Sequence, residues 1–289
     1  MVVIIAAIVI IILQITSSYG WISNNDLPVR IRCRKRENTR YEQKIRESNH
    51  LMDKTSPSQQ QSLEEPDNQF GRMTYWDESY KESLVDNSES GQSKDTTTFS
   101  WYCGWDDLSQ FFSELVPLDQ SPSILIPGIG NDACIRDMFD AGYTNLTMFD
   151  YAPEGVECAK RMFGDKRLQQ VEDLRVADAR DLPYNGDCYD AVLEKGTLDS
   201  IYLSGGKDKE TARKHLDMAI DELARVVKEG GIVFSITAAC VDAVQQSFDD
   251  CNERRECWEQ IRDGTLYMTD DGYTSNNIDA TMLVWRRIK

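Results

Sequence analysis

The chain has 289 residues, is 40% hydrophobic and carries a formal net charge of −17. The first forty residues hold six Lys/Arg and two acids, so the remainder stands at −21, a balance that repels phosphate backbones and argues against direct nucleic-acid binding. Two histidines, His50 and His215, and eight cysteines with no CxxC spacing argue equally against a zinc site.

In chain order, the apolar run from Val2 to Leu13 comes first. It is shorter than the ~20 residues that cross a bilayer and matches a signal-peptide core. Ser18-Tyr19-Gly20 supplies small residues for cleavage before Trp21. Residues 1–20 are therefore read as a signal peptide or a short anchor, which predicts passage into the secretory route and contact with a membrane only if the segment stays uncleaved. The basic stretch that follows resembles the second part of leaders that direct proteins to secondary plastids; a solvated basic linker explains it equally. From Glu42 to about Asn68 the chain is polar, with "SPSQQQSLEEPDNQ" too poor in apolar residues to order itself. Residues 21–68 thus read as a linker or transit segment, and residues 69–289 as one domain.

Order is expected to resume at "FGRMTYWDESYKES", lapse through "DNSESGQSKDTTT" and return at "FSWYCGWDDLSQFFSELV". There Leu108, Phe111, Phe112 and Leu115 recur at helical spacing, with Asp106 or Asp107 as candidate N-caps. Strands then alternate with helices. Strands are predicted at Ser123 to Pro127, Leu146 to Phe149, Asp173 to Ala177 and Tyr189 to Leu193. Helices are predicted at Ala133 to Ala141 and Pro153 to Phe163, then at Thr211 to Lys228, the last closed by "EGG" before a fifth strand "IVFSITA". "GTLYMTD" and "ATMLVWRRI" add two strand-like runs with no helix between them. The reading is an α/β Rossmann-like fold, a mostly parallel sheet with helices on both faces and an antiparallel C-terminal edge strand. Cys134, Cys158 and Cys188 read as buried thiols; the sequence leaves open whether Cys251 and Cys257 pair in an oxidising compartment, with separate thiols the preferred reading.

The candidate site begins where the first strand ends. Gly128-Ile129-Gly130 lets the backbone turn sharply and approach a ligand, with the following helix aiming its amino end at it. Asp150, at the end of the second strand, can accept both hydroxyls of a ribose. So far a nicotinamide dinucleotide (NAD) and S-adenosylmethionine fit alike, since Gly128-x-Gly130-x-x-Ala133 satisfies the dinucleotide pattern. Asp178 after the third strand is placed to hydrogen-bond an adenine amino group. "YDAVLEKGTLDSI" reads as a strand running into a polar loop at the carboxyl edge, where open parallel sheets bind ligands. The reversed C-terminal strand pair suits a methyltransferase, and no room remains for the substrate domain of a dehydrogenase. Methyl transfer is therefore preferred over an oxidoreductase.

The blocks "YWDESY", "SWY", "ILIPGIGND", "DAGYTNLTMFDYAPEGV", "DARDLPY" and "YDAVLEKGTLDSI" then resemble, in order, a eukaryotic methyltransferase-like family of class I S-adenosylmethionine-dependent enzymes. Some of its members methylate lysines of a translation elongation factor. The resemblance spans about Tyr75 to Thr237 and implies N-methylation of a protein lysine, a small-molecule acceptor or a non-catalytic cofactor-binding module being the alternatives. It places cofactor contacts on Trp76, Tyr80, Trp101, Gly128, Gly130, Asp150, Tyr151, Asp178, Ala179 and Lys195. Spacing alone would make Trp76, Tyr80 and Trp101 ordinary core aromatics. Two departures stand out: Asp132 replaces the family's serine, adding charge near the methionine carboxylate, and Ser79 replaces an arginine. The insert "LVDNSESGQSKDTTT" is also longer than the family's. Glu194 and Asp199 lie where an acceptor would approach, either to orient a lysine ammonium or to hold a loop turn. His215 is expected to face solvent.

Overall fold

The computed structural model describes residues 69–84, 100–266 and 280–289. The apolar leader, the basic tract, the polar linker, most of the insert after Leu84 and the second half of "GTLYMTD" lie outside the described residues. Among the described residues no helix is long and apolar enough to cross a membrane.

Helix α1 spans Met73–Leu84 and α2 Trp105–Leu115. Strand β1 (Ile124–Pro127) leads into α3 (Ala133–Asp140), and β2 (Leu146–Asp150) into α4 (Pro153–Leu168). Strands β3 (Asp173–Val176) and β4 (Tyr189–Lys195) follow, then α5 (Thr197–Leu203) and α6 (Lys209–Val226). The chain ends with β5 (Val227–Thr237), α7 (Val241–Arg255), β6 (Trp258–Leu266) and β7 (Ala280–Arg287). All seven strands form one sheet in the order 3-2-1-4-5-7-6. The first five run parallel, and β7 inserts antiparallel between β5 and β6. The fold class is the one expected, an α/β Rossmann-like sheet, with β6 rather than β7 at the rim.

Alternation along the strands divides the core in two, because successive side chains of a strand point to opposite faces. Ile124 and Ile126, Ala191 and Leu193, and Ile232, Phe234 and Ile236 join one cluster with residues of α2, α3 and α4. Leu125, Val192, Val233, Leu283 and Trp285 join the other, with Leu216, Ile220 and Leu223 of α6 and Val244 and Phe248 of α7. Burial on both faces is what a parallel sheet requires. Helix α6 starts where the Asp208 carboxylate accepts from the amides of Glu210 and Thr211, satisfying donors that the first turn leaves unpaired.

Five local expectations are corrected. The N-cap of α2 is Gly104, while Asp107 lies in the first turn and accepts from the Gly104 amide at 2.9 Å. Helix α6 stops at Val226, and Glu229-Gly230-Gly231 forms an outward bulge inside β5: the register passes from Tyr189–Val227 to Ala191–Ile232, with Gly230 at φ +81° absorbing the turn. The loop expected after β4 is helix α5. Strand β6 opens at Trp258, ahead of the predicted run, and the unexpected α7 precedes it. Cys188 is only half-buried, whereas Cys134 and Cys158 are buried as expected. Cys251 and Cys257, left open by the sequence, are separate thiols, and the Cys251 thiol donates to Asp221 at 3.6 Å.

Candidate functional site

The carboxyl ends of β1, β2 and β4 converge beneath α1. After Pro127 the chain turns through Gly128 (φ +65°) and Gly130 (φ +43°), left-handed conformations in which a Cβ is disfavoured. Space forbids one as well: a Cβ on Gly128 would overlap the Thr197 hydroxyl, and one on Gly130 the Tyr80 hydroxyl. Between them Ile129 is buried and its amide donates to Phe149 O at 3.0 Å, tying the bend to β2. The bend is therefore a main-chain surface closed in by two hydroxyl-bearing side chains.

Asp150 ends β2 and is 2% exposed. Its Oδ2 accepts from the Gly130 amide and its Oδ1 from the Ala152 amide, each at 2.9 Å. Burial pushes its carboxyl up to about 7, against the pull of these main-chain donors. A carboxylate has about four acceptor positions, and with the Tyr151 amide as a third main-chain donor about one is left for a ribose-like hydroxyl. Gly155 keeps α4 close: a Cβ there would lie 2.7 Å from Asp150 Cγ and 2.9 Å from the Tyr80 ring.

Helix α1 covers this bend with aromatic rings. Trp76 and Tyr80 are stacked with centroids 5.8 Å apart, and Trp101 meets Trp76 edge-on at 5.6 Å. Trp76 Nε1 donates to Phe70 O at 2.8 Å, and the Cys158 thiol of α4 donates to Tyr80 O at 3.6 Å. Tyr151 packs partly buried against this cluster, and burial raises its phenol above the usual tyrosine range. The three aromatics read from sequence thus stand together, and Tyr80 is the one that reaches Gly130 and the Asp150 side of α4.

Two further residues behave differently. Asp178 does sit beside the end of β2, since Ala177 N donates to Asp150 O at 3.0 Å. Its carboxylate, however, is gripped by the Arg180 guanidinium at 2.6–3.1 Å and by the Arg180 amide at 2.9 Å. Burial works upward on its pKa, but Arg180 overrides this and holds it below the usual carboxylate range. Ala179 lies half-buried between them. Lys195 is not a surface lysine: its side chain is 3% exposed and its ammonium donates to Asp132 Oδ2 at 2.8 Å and to Cys103 O at 2.6 Å. Burial works against that ammonium, yet the Asp132 carboxylate holds it charged. The added charge at Asp132 is therefore matched inside the protein, while its Oδ1 caps α3 through the Cys134 amide.

Glu194 and Asp199 are both committed to loops. Glu194 Oε2 accepts from the Thr197 and Leu198 amides at 3.0 and 3.2 Å, its Oε1 accepts from the Ser235 hydroxyl, and burial pushes its carboxyl up to about 8. Asp199 accepts from the Thr237 hydroxyl, from the Ala238 and Cys240 amides at 3.0 Å each, and from the Tyr102 hydroxyl at 3.0 Å. Of the two sequence alternatives, these contacts are those of loop-holding residues. His215 is not fully solvent-facing: its Nδ1 hydrogen-bonds the Ser204 hydroxyl at 2.8 Å.

Thr197 and Tyr102 escaped the sequence reading. Thr197 donates to Pro127 O at 2.9 Å and abuts Gly128, a contact foreshadowed only by its place just after a strand end. Tyr102 lies within the "SWY" block but gave no signal that its partner is ninety-seven residues away.

Comparison with known proteins places the chain among methyltransferases. The profile of a family described as "Methyltransferase domain" matches residues 125–235, from the middle of β1 to the interior of β5. The chain is 30% identical over 191 residues to EEF1A lysine methyltransferase 4 of Mus musculus, covering 64% of this chain and 68% of that one. To the Bos taurus protein of that name it is 27% identical over 175 residues, covering 59% of this chain and 62% of the relative. Among solved structures, that of the 4+2 cyclase SpnF superposes with a TM-score of 0.50 at 16% identity, over 75% of this chain and 97% of the other, a likeness of fold alone.

Proposed function

The chain belongs to the methyltransferase family that holds the EEF1A lysine methyltransferases, and from that membership we propose that it methylates the side-chain nitrogen of a lysine in a protein. The enzyme class is S-adenosylmethionine-dependent methyltransferase, and S-adenosylmethionine is its cofactor. One observation carries the lysine reading: the 30% identity, sustained over 191 residues, to a protein named for lysine methylation.

The residues at the bend fit that cofactor. Gly128 and Gly130 offer bare main chain at the start of α3, and buried Asp150 retains acceptor capacity for a hydroxyl. In this reading Trp76, Tyr80, Trp101 and Tyr151 wall the nucleoside. Asp178 and Ala179 border the adenine, with Arg180 sharing the Asp178 carboxylate. Lys195 acts through Asp132 and Cys103 rather than on the ligand. The cofactor supplies a methyl group already activated on a sulfonium, so the protein's task is alignment and exclusion of water, which can lower a barrier by ~7 kcal/mol or more. The aromatic wall serves exclusion. Glu194 and Asp199 hold the turns at the ends of β4 and β5 in place, and neither offers a free oxygen as a proton carrier.

The test is a methyl-labelling assay of the purified full chain on cell extract, beside calorimetric titration with S-adenosylmethionine. A labelled protein band whose label maps to lysine supports the reading. Label in a small molecule moves the acceptor to another class, and uptake of cofactor with no labelled product reduces the protein to a binding module. The leader remains part of the proposal: residues 1–20 direct the chain into the secretory route. A fluorescent reporter fused behind residues 1–45 that stays in the cytosol would overturn that.

A further inference from the structure

Between α1 and α2 the described chain crosses the site as a short strap, Trp101, Tyr102 and Cys103. Its backbone is tightly wound. Tyr102 stands at φ +60°, and the Cys103 amide donates to Trp101 O at 2.6 Å. A left-handed residue that is not glycine is strained and persists only where its surroundings over-determine it. The surroundings here are two tethers from the same stretch of chain, four residues apart. The Tyr102 hydroxyl donates to Asp199 Oδ2 at 3.0 Å, and Cys103 O accepts from the Lys195 ammonium at 2.6 Å. Both partners are buried, with Asp199 2% exposed and the Lys195 side chain 3% exposed.

Neither anchor owes its own position to the strap. Asp199 also accepts from the Thr237 hydroxyl and from the Ala238 and Cys240 amides, which lock it to the end of β5. Lys195 is paired with Asp132, two residues past Gly130 and itself fixed as the N-cap of α3. At its other end the strap reaches the aromatic cover, Trp101 against Trp76 and Trp76 against Tyr80, whose hydroxyl faces Gly130. Loosening the strap would therefore loosen the cover over the bend.

We propose that Lys195 and Asp199 are positioning residues that latch the Trp101–Cys103 strap shut, with Asp132 as the counter-charge, and that this latch controls release of the cofactor from the glycine bend. The second clause rests on the reading that the bend takes S-adenosylmethionine; the first does not.

The test uses the full chain and two variants. Tyr102→Phe removes one hydroxyl and leaves Asp199 its other donors. The double variant Asp132→Ser with Lys195→Met removes the ion pair without stranding a charge. Amide exchange of a peptide spanning residues 100–104 is followed in cofactor-free protein, with the α6 peptide as an internal reference. Dissociation of labelled S-adenosylmethionine is timed separately. In Tyr102→Phe the strap should exchange about tenfold faster, the consequence of losing one buried hydrogen bond, while α6 is unchanged. Cofactor release should quicken three- to tenfold. The double variant should move both readouts in the same direction, and Tyr102→Phe alone decides the matter if the double variant does not fold. Wild-type exchange of the strap in the variants overturns the latch. A loosened strap with unaltered release overturns its control of the cofactor. Should the wild type itself take up no S-adenosylmethionine, the binding reading falls, and the exchange arm still decides whether the latch exists.

Discussion

At the scale of single residues, the site is governed by what lies against two glycines and one buried acid. Gly130→Ala places a methyl group in a left-handed backbone and against the Tyr80 hydroxyl. The backbone term alone costs roughly 1–2 kcal/mol, and Tyr80 cannot withdraw freely because its ring is stacked on Trp76. Cofactor affinity should fall at least tenfold in a titration, with a lowered denaturation midpoint. Gly230→Ala is the control: its φ is +81° but nothing lies within 4 Å, so it should lose stability and leave binding intact. Asp150 sets a pH dependence. Its carboxyl is pushed up to about 7 by burial, and hydroxyl donors favour the ionised form. Titrations at pH 8, 7 and 6 should therefore weaken toward acid, approaching tenfold per unit below 7, and Asp150→Asn should bind weakly at all three. The sign for folding is opposite. With the folded value above the unfolded ~3.9, the protonated carboxyl favours the fold below about 4, and that advantage is lost as pH rises through 7. Gly128, Gly130 and Asp150 were legible because a strand-end bend and an acid twenty residues later form a local pattern. The partner of Lys195 was not, since Asp132 lies sixty-three residues earlier and an unpaired charge looks the same in sequence as a paired one.

At the scale of elements, legibility followed the width of the apolar stripe. Helix α6 buries Ala212, Leu216, Ala219, Ile220, Leu223, Ala224 and Val226, a stripe broad enough to announce a helix. Ile220→Ala there should cost about 2–5 kcal/mol, read as a shift in urea midpoint with unchanged slope; a loss well under 1 kcal/mol would mean that the α6–sheet contact is looser than its full burial implies. Helix α7 went unread because its buried stripe is narrow: Val244, Phe248 and Cys251 face inward among Gln245, Gln246, Asp249 and Asp250. Phe248 then stacks on Trp285 of β7 at 4.5 Å, a contact formed only once the reversed strand is in place. Glu229-Gly230-Gly231 read as a helix stop for a sound local reason, since glycine ends helices. Pairing with β4 decided otherwise and made it a bulge. Helix α5 was hidden by its brevity, and a Gly71 Cβ overlapping the Leu203 backbone shows how closely the segment before α1 is packed upon it.

At the scale of the whole molecule, charge is the property most visible in sequence and least visible in any one contact. Beyond residue 40 the chain carries −21. Most ion pairs among the described residues are surface pairs such as Lys160–Glu157 and Lys289–Glu256, which contribute little to stability. The excess of acid instead acts at a distance, raising the local concentration of a basic partner and speeding its approach. Screening shortens that reach, from about 10 Å at 0.1 M salt to about 3 Å at 1 M. A lysine-bearing protein substrate in a basic surface should therefore show a KM that climbs several-fold between 50 and 300 mM NaCl. Its kcat should hold steady, because the Lys195–Asp132 pair and the Asp150 carboxylate are buried beyond the reach of added ions. Cofactor uptake measured in the same buffers separates the two effects. If KM stays flat while uptake is unchanged, the field plays no part in choosing the acceptor; if kcat falls with salt, the interior pair is less shielded than its burial indicates.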